Sequence, residues 1–293
     1  RENNCSLCQM QPISGFKKAK QSTNMIFVPS IVVGKNQQKN LSTQDNWHSE
    51  NNAELGGDFS WNISSDSLFS ATINPDFSQI ELDNAPLNIN SNFSLYLPEK
   101  RRFFLENDNY FDSLYNLVYT RNIVSPDLGV KYTQRIGNST FAALASDDES
   151  TRLLIPGNLN STLAIIDEKN INTALRYRYD FSNDSSLGIT NTTRKSENYH
   201  NYIFSIDGRL RFNESTFLDA QLLSSNTEYP ADFYKKVCYK CDNEPSIRVN
   251  SSDELTDIAW QVSFNHTKRN WWLSAYHKHK GEDFRADLGF VSK

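Results

Sequence analysis

The stretch that decides the fold is INTALRYRYDF, residues 171–181. Every second residue belongs to one face, which consists of Ile171, Thr173, Leu175, Tyr177, Tyr179 and Phe181. The residues between them are polar or small: Asn172, Ala174, Arg176, Arg178 and Asp180. A period of two is typical of a β-strand with one apolar side. The stretch therefore predicts a strand with one apolar and one charged face.

The same alternation recurs along most of the chain. YIFSIDGRLRF (202–212) and IAWQVSFNH (258–266) repeat it clearly. Weaker versions run through 129–136, 140–145, 187–193, 217–224 and 271–278. Helical periodicity is nowhere comparable, so the sequence predicts an all-β protein.

The connections between these segments alternate in length. Short turn-like links are expected at 64–67, 137–139, 182–186, 213–215 and 268–270. Longer polar stretches lie at 34–54, 74–115, 147–170 and 226–256, and 196–200 is a shorter member of that set. Short turns at one end and long loops at the other are typical of an outer-membrane β-barrel, whose strands need roughly 9–11 residues. A soluble sandwich or barrel with one solvated face is the alternative.

In the barrel interpretation the apolar face contacts lipid and the charged face lines the lumen. The predicted lumen-lining residues are Arg176, Arg178, Asp207, Arg209 and Arg211. Trp271, Trp272 and Tyr276 resemble an interfacial aromatic girdle, although such rings also stack on sugars.

Length, charge and hydropathy further restrict the classes of protein to which the chain can belong. The chain has 293 residues, room for one large all-β domain or two ordinary ones. With a net charge of −5 and no basic stripe, the sequence gives no reason to expect a nucleic-acid partner. No run approaches the roughly 18 apolar residues of a membrane helix.

Two identical cysteine spacings, Cys5-x-x-Cys8 and Cys238-x-x-Cys241, leave two interpretations open. Four thiolates suit one zinc ion. In the barrel topology, however, the first pair is periplasmic and the second lies in an external loop, so one metal cannot join them. We therefore favour two local disulfides and predict no metal at these residues, while a redox role remains open.

Two long motifs carry a family resemblance. INPDFSQIELD (73–83) and LYLPEKRRFFLENDNYFD (95–112) resemble a bacterial family of outer-membrane barrels of unknown function, and GEDFRADLGFV (281–291) is similar to a third segment. Arg102 and Asn107 depart from the family pattern of proline and glycine. In that family a sandwich similar to family-9 carbohydrate-binding modules precedes the barrel. The resemblance implies that this chain is an N-terminal portion of the barrel without the sandwich.

The charged residues of these motifs have four interpretations, one of which is direct contact with a ligand. The set is Asp76, Glu81, Asp83, Glu99, Lys100, Arg101, Arg102 and Glu106. We expect Asp76, Glu81, Asp83 and Glu106 to pair with the three basic residues and fix a loop at the barrel mouth. Asp76, Glu81 and Asp83 could instead hold calcium, the one cofactor considered. A glycosidase pair, Asp76 with Glu106, is disfavoured because nearby Lys and Arg keep carboxylates ionised.

The sequence thus predicts an all-β, antiparallel up-and-down transmembrane barrel, with residues 1–24 as a periplasmic lead-in, 25–293 as barrel and 74–115 as a structured loop. The expected location is the cell outer membrane and the expected partners are the lipid bilayer, a saccharide, and other outer-membrane or periplasmic proteins. The expected function is carbohydrate binding or uptake at the cell surface without catalytic residues. The alternatives are a secreted or surface glycoside hydrolase and a structural anchor or secretion component.

Overall fold

A computed structural model describes residues 24–38, 48–75, 96–156, 161–230, 233 and 254–291. The strands are β1 Met25–Gln38, β2 His48–Ser64, β3 Ser67–Ile73, β4 Leu128–Ile136, β5 Ser139–Asp148, β6 Thr151–Pro156, β7 Ser161–Ile166, β8 Asn170–Asp180, β9 Ser186–Lys195, β10 His200–Asn213, β11 Thr216–Glu228, β12 Leu255–Thr267 and β13 Trp272–Lys280. The helices of the described part are one α-helical turn, Arg102–Leu105, and the 3-10 turns Asp108–Phe111 and Thr120–Asn122. None of the helices found there has the length and apolarity to cross a membrane.

Eleven strands form one antiparallel sheet in the order β1-β2-β3-β4-β5-β8-β9-β10-β11-β12-β13. Each strand pairs with its neighbours in sequence, except that β6 and β7 form a separate hairpin between β5 and β8. The prediction of an all-β, antiparallel up-and-down fold is confirmed. Within the described residues β1 and β13 are the two edges of the sheet.

The turns follow the predicted alternation. Short links join β2 to β3, β4 to β5, β8 to β9, β10 to β11 and β12 to β13. Because successive strands are antiparallel, these links lie at one end of the sheet and the longer connections lie at the other.

Two of the predicted long connections, 34–54 and 147–170, contain strand residues. The first strand extends to Gln38 because it pairs in continuous register with β2, from Met25↔Trp61 to Gln38↔His48. The stretch 147–170 was predicted as a polar connection but contains the β6–β7 hairpin, whose runs TRLLIP and STLAII are apolar enough to pair.

The two faces of the sheet have opposite chemistry, as β8 shows. Asn172, Ala174 and Arg176 are buried, whereas Ile171 and Leu175 are exposed. This is the face assignment that the alternation predicted. We call the side of Arg176 the polar face and the side of Leu175 the apolar face.

Two segments lie against the polar face and account for its burial. The long covering segment is residues 96–125, and the short covering segment is residues 281–291. Phe103, Phe104, Phe111 and Ile123 of the long segment and Leu288 of the short one pack on Ala142, Leu144 and Ala174 of the sheet. A second cluster joins Tyr115, Leu117 and Phe284 to Ile203, Leu223 and Ala259. These two clusters of the core thus lie between the polar face and the covering segments. A third cluster joins the β6–β7 hairpin to Tyr199, Tyr229, Phe233 and Leu255.

Candidate functional site: the covered polar face

Lys131 of β4 fixes the start of the long covering segment. Its buried ammonium donates hydrogen bonds to the carbonyls of Phe103, Phe104 and Glu106, and it lies 5.2 Å from the centre of the Phe103 ring. These carbonyls end the helical turn 102–105, where a cation is favourable. The Lys131 ammonium on β4 therefore fixes the conformation of the long covering segment above it.

Glu99 and Arg101 form a buried ion pair within that segment. Arg101 Nη2 lies 2.8 Å from Glu99 Oε2, and the guanidinium also donates to the carbonyls of Thr120 and Ile123. Thr120 donates its hydroxyl to the same carboxylate at 2.7 Å. Burial raises the pKa of Glu99, but the hydrogen bonds and positive charge of Arg101 outweigh it and lower the pKa to about 2. The pair joins the two ends of the segment.

Arg194 of β9 is a second buried cation, and it connects several elements. Its guanidinium donates to the carbonyls of Arg152 at 2.8 Å, Asn122 at 2.9 Å and Asp287 at 3.2 Å. It also faces Asp148 Oδ2 at 3.7 Å, and Asp148 accepts the backbone amides of residues 124 and 125. Buried charges are stable only when they are paired and hydrogen-bonded in this way.

Asp287 holds the short covering segment against the sheet. Its carboxylate accepts the hydroxyls of Tyr199 at 2.8 Å and Tyr229 at 3.0 Å, and its amide donates to Asn201 at 3.1 Å. Complete burial raises the pKa of Asp287, although both tyrosines and Arg194 act in the opposite direction. Burial likewise raises the pKa of Tyr199.

The two covering segments also bind each other. The amide of Tyr119 donates to the carbonyl of Leu288, and the amide of Phe290 donates to that of Asn116, each at 2.9 Å. A methyl group at Gly289 would lie 2.4 Å from the Asn116 carbonyl oxygen. Only glycine therefore fits this approach of the two backbones.

Nearer the short turns, the polar face carries a row of ion pairs. Arg176 binds Asp207 through both guanidinium nitrogens, at 2.6 and 2.9 Å, and donates to Thr190. The other pairs are Arg209–Asp219 at 2.6 Å, Arg178–Asp180 at 2.7 Å and Arg211–Asp184 at 2.8 Å. The five residues predicted to line a lumen thus share the polar face; that they line a lumen stays a prediction.

A cavity of about 300 Å³ is formed by the long covering segment and the strands beneath it. Its aromatic wall consists of Tyr96, Phe104, Phe111 and Tyr119. Its charged lining groups are Glu99, Asp108, Asp112 and Lys131. Burial and the nearby charge of Asp108 raise the pKa of Asp112, against a smaller effect of Arg176.

The predicted loop residues that the structure describes differ in their contacts. Glu99 and Arg101 pair with each other. Glu106 was expected to pair with a basic residue, but its carboxylate accepts the hydroxyls of Ser60 at 3.1 Å and Ser70 at 3.4 Å. The side chains of Lys100 and Arg102 are exposed.

Several predictions fall on parts of the chain outside the described residues. They concern Asp76, Glu81, Asp83, Cys5, Cys8, Cys238 and Cys241. The disulfides, the calcium site and the lead-in at 1–24 therefore stay predictions.

Sequence reasoning missed the buried anchors Lys131, Asp148, Arg194 and Asp287. Lys131 and Arg194 were visible only as polar residues of alternating strands, with nothing local to indicate partners more than twenty positions away. Asp287 lies in the motif 281–291, where the resemblance marked the segment but not the residue.

The fold and site together define a class: an antiparallel up-and-down β-sheet protein whose charged face is covered by its own chain and whose apolar face is uncovered by any described residue. Residues 23–155 match a family model described as a domain of unknown function, DUF5916. This match spans less than half of the chain and includes both motifs, 74–83 and 98–106. It supports the predicted resemblance in part, whereas the carbohydrate-binding sandwich stays a prediction. No curated protein matches the chain.

Solved structures with a similar fold are outer-membrane proteins. In-vitro folded OmpT of Vibrio cholerae is 10% identical, with 89% of this chain and 88% of that chain covered and a TM-score of 0.34. Its trimer form is 11% identical, with 88% and 89% covered and a TM-score of 0.35. A loop L8 deletion mutant of OmpT is 9% identical, with 88% and 93% covered and a TM-score of 0.33. Likenesses of this size carry no argument about function.

Proposed function

We propose that the chain forms a β-barrel wall in the outer membrane of a Gram-negative bacterium, with the apolar face against lipid and the covering segments inside. The observation that carries the proposal is the opposite chemistry of the two faces. Phe27, Ile31 and Val33 are 68%, 72% and 78% exposed, while Lys131 is 3% and Arg194 0% exposed. A protein in water folds the other way round.

The energetic argument favours lipid as the neighbour of the apolar face. Full burial of a large apolar side chain is worth about 1.5–3 kcal/mol in water, and the many partly exposed side chains of this face each forgo a part of it. In the part of the chain that the structure describes, no second layer packs on that face. A bilayer removes the cost, and contiguous apolar patches of this kind mark membrane or protein contacts.

Aromatic side chains at one end of the sheet support the same orientation. Phe181, Phe212 and Trp271 are exposed on strand ends or turns at the short-turn side. Trp and Tyr concentrate at membrane interfaces because their rings are amphipathic, and barrels carry such girdles. In this proposal the short turns are periplasmic and the long connections are external.

Site-directed spin labelling tests the two faces directly. In a variant without native cysteines, single cysteines at Thr173, Ala174 and Leu175 are labelled after reconstitution into vesicles. We expect labels at 173 and 175 to be accessible to oxygen, which partitions into lipid, and the label at 174 to be shielded. Equal exposure of all three to a water-soluble relaxation agent would contradict the proposal.

Carbohydrate binding or uptake is a second, finer proposal. The family resemblance described above supports it. The covering segments occupy the polar face, so uptake requires them to leave a path or to move. Swelling of vesicles in isotonic sugar, with Gly289→Ala as the variant that loosens the segments, tests this. No swelling in either protein would favour a structural anchor or secretion component.

The hydrolase alternative is less well supported. Its proposed partner Asp76 lies outside the described residues, and the Glu106 carboxylate is held by the hydroxyls of Ser60 and Ser70. A Glu106→Gln variant that keeps full polysaccharide turnover would remove this alternative.

A further inference from the structure

The cavity in the long covering segment combines two features. One is its aromatic wall of Tyr96, Phe104, Phe111 and Tyr119. The other is a pair of acidic side chains, Asp108 and Asp112, which lie at either end of the 3-10 turn 108–111. Both acidic residues are exposed, so a solute can reach them. A volume of about 300 Å³ suits one small organic molecule.

The charges around the cavity do not cancel. Glu99 is neutralised by Arg101, and Arg176 is neutralised by Asp207. Among the described residues, Asp108 and Asp112 have neither an ion pair nor a side-chain hydrogen bond. Among the described lining residues the remaining cation is Lys131, so these residues contribute two carboxylates and one ammonium group, an excess of one negative charge.

The two cations near the cavity, Lys131 and Arg176, are already held in place by hydrogen bonds. The Lys131 ammonium donates to the carbonyls of residues 103, 104 and 106, and Arg176 donates to Asp207 and Thr190. Neither can turn toward the acidic pair without losing buried hydrogen bonds. Two like charges held near each other repel, and a bound cation relieves that repulsion.

We infer that this cavity binds a small monovalent organic cation, an ammonium compound, with its charge between Asp108 and Asp112 and its carbon atoms against the aromatic wall. Aromatic faces attract ammonium groups and exclude water from their alkyl parts. A divalent metal fits poorly, because it requires about six oxygen ligands, which an aromatic wall does not supply. The inference concerns the covering segment and does not depend on membrane insertion.

Calorimetric titration of the folded full chain in a nonionic polyoxyethylene detergent tests the inference. The probe is choline chloride, with sodium chloride at matched concentration and glucose as comparison ligands. We expect choline to bind, sodium chloride to give no saturable signal, and Asp108→Asn and Asp112→Asn each to weaken choline binding about fivefold or more. Asp167→Asn removes an exposed carboxylate between β7 and β8 and is the matched control, expected to change affinity less than twofold.

Three outcomes would overturn the inference. One is the absence of choline binding to a chain whose circular dichroism shows the folded sheet. Another is choline binding that both asparagine variants leave unchanged. The third is saturable glucose binding, lost in these variants, without choline binding, which would assign the cavity to a saccharide. The spin-label experiment is read separately, so failure of the membrane proposal would leave these results interpretable.

Discussion

Arg194 shows how a single residue can hold the covered face together. Its guanidinium reaches a carbonyl of the β6–β7 hairpin, one of the long covering segment and one of the short covering segment. No local signal in RKSEN, residues 194–198, distinguishes it from any other charged strand residue. The sequence predicts correctly that the side chain lies on the polar face of a strand, but its partners follow from tertiary packing alone.

We expect Arg194→Met to destabilise the protein by about 3–5 kcal/mol, because it removes three hydrogen bonds and leaves Asp148 buried without its counter-charge. Urea unfolding in detergent micelles, followed by circular dichroism, measures the change. Arg178→Met is the matched control: its half-exposed pair with Asp180 is worth less than about 1 kcal/mol. Equal effects of the two substitutions would refute the anchoring role of Arg194.

Glu99 makes stability depend on acid. Its folded pKa of about 2 lies below its ordinary value of 4.5, so the ionised carboxylate stabilises the folded state above pH 4.5. This contribution, about 3 kcal/mol, is lost as the pH falls from 4.5 to about 2. We expect Glu99→Gln to unfold at lower urea concentration at pH 7 and to lose less stability than the wild type between pH 4.5 and 2. An equal loss of unfolding free energy in the two proteins between pH 4.5 and 2 would contradict this.

At the scale of elements, the alternation of residues 171–181 is sufficient to predict β8 and both of its faces. The same rule does not find the β6–β7 hairpin, because short apolar runs carry no clear period. The covering segments have no regular pattern either. Residues 96–125 are ordered by long-range contacts such as Asn107 Nδ2 to Thr133 Oγ1 at 2.8 Å, which a sequence pattern cannot encode.

The contact between the two covering segments gives an element-scale prediction. In Gly289→Ala the new methyl group and the Asn116 carbonyl oxygen cannot both keep their places, so the segments must separate. We expect hydrogen exchange at the amides of Tyr119 and Phe290 to become about tenfold faster or more, with the sheet amides unchanged. Gly34→Ala is the control, since nothing lies within 4 Å of its added methyl group. Unchanged protection from hydrogen exchange at both amides would show that the two covering segments do not need this close backbone contact to stay together.

For the molecule as a whole, alternation and turn spacing suffice to predict the antiparallel order of the sheet. What the sequence does not reveal is that the chain covers its own polar face. The covering segments are held by buried anchors, Lys131 beneath the long segment and Asp287 within the short one. The pairing predicted for Asp76, Glu81 and Asp83 stays a prediction, because these residues lie outside the described part of the chain. The acidic, aromatic cavity is a consequence of that covering and could not be predicted from residue spacing.

Fractionation of the native protein in its host, with protease added to intact cells, tests the central claim most directly. We predict that the protein is recovered in the outer-membrane fraction and is cut within 147–170 or 226–256, while the short turns at 137–139 and 213–215 stay protected. Recovery as a soluble protein would contradict the account, because the apolar face would then have no lipid neighbour. Cleavage at the short turns in intact cells would also contradict it, because the barrel would then have the opposite orientation in the membrane.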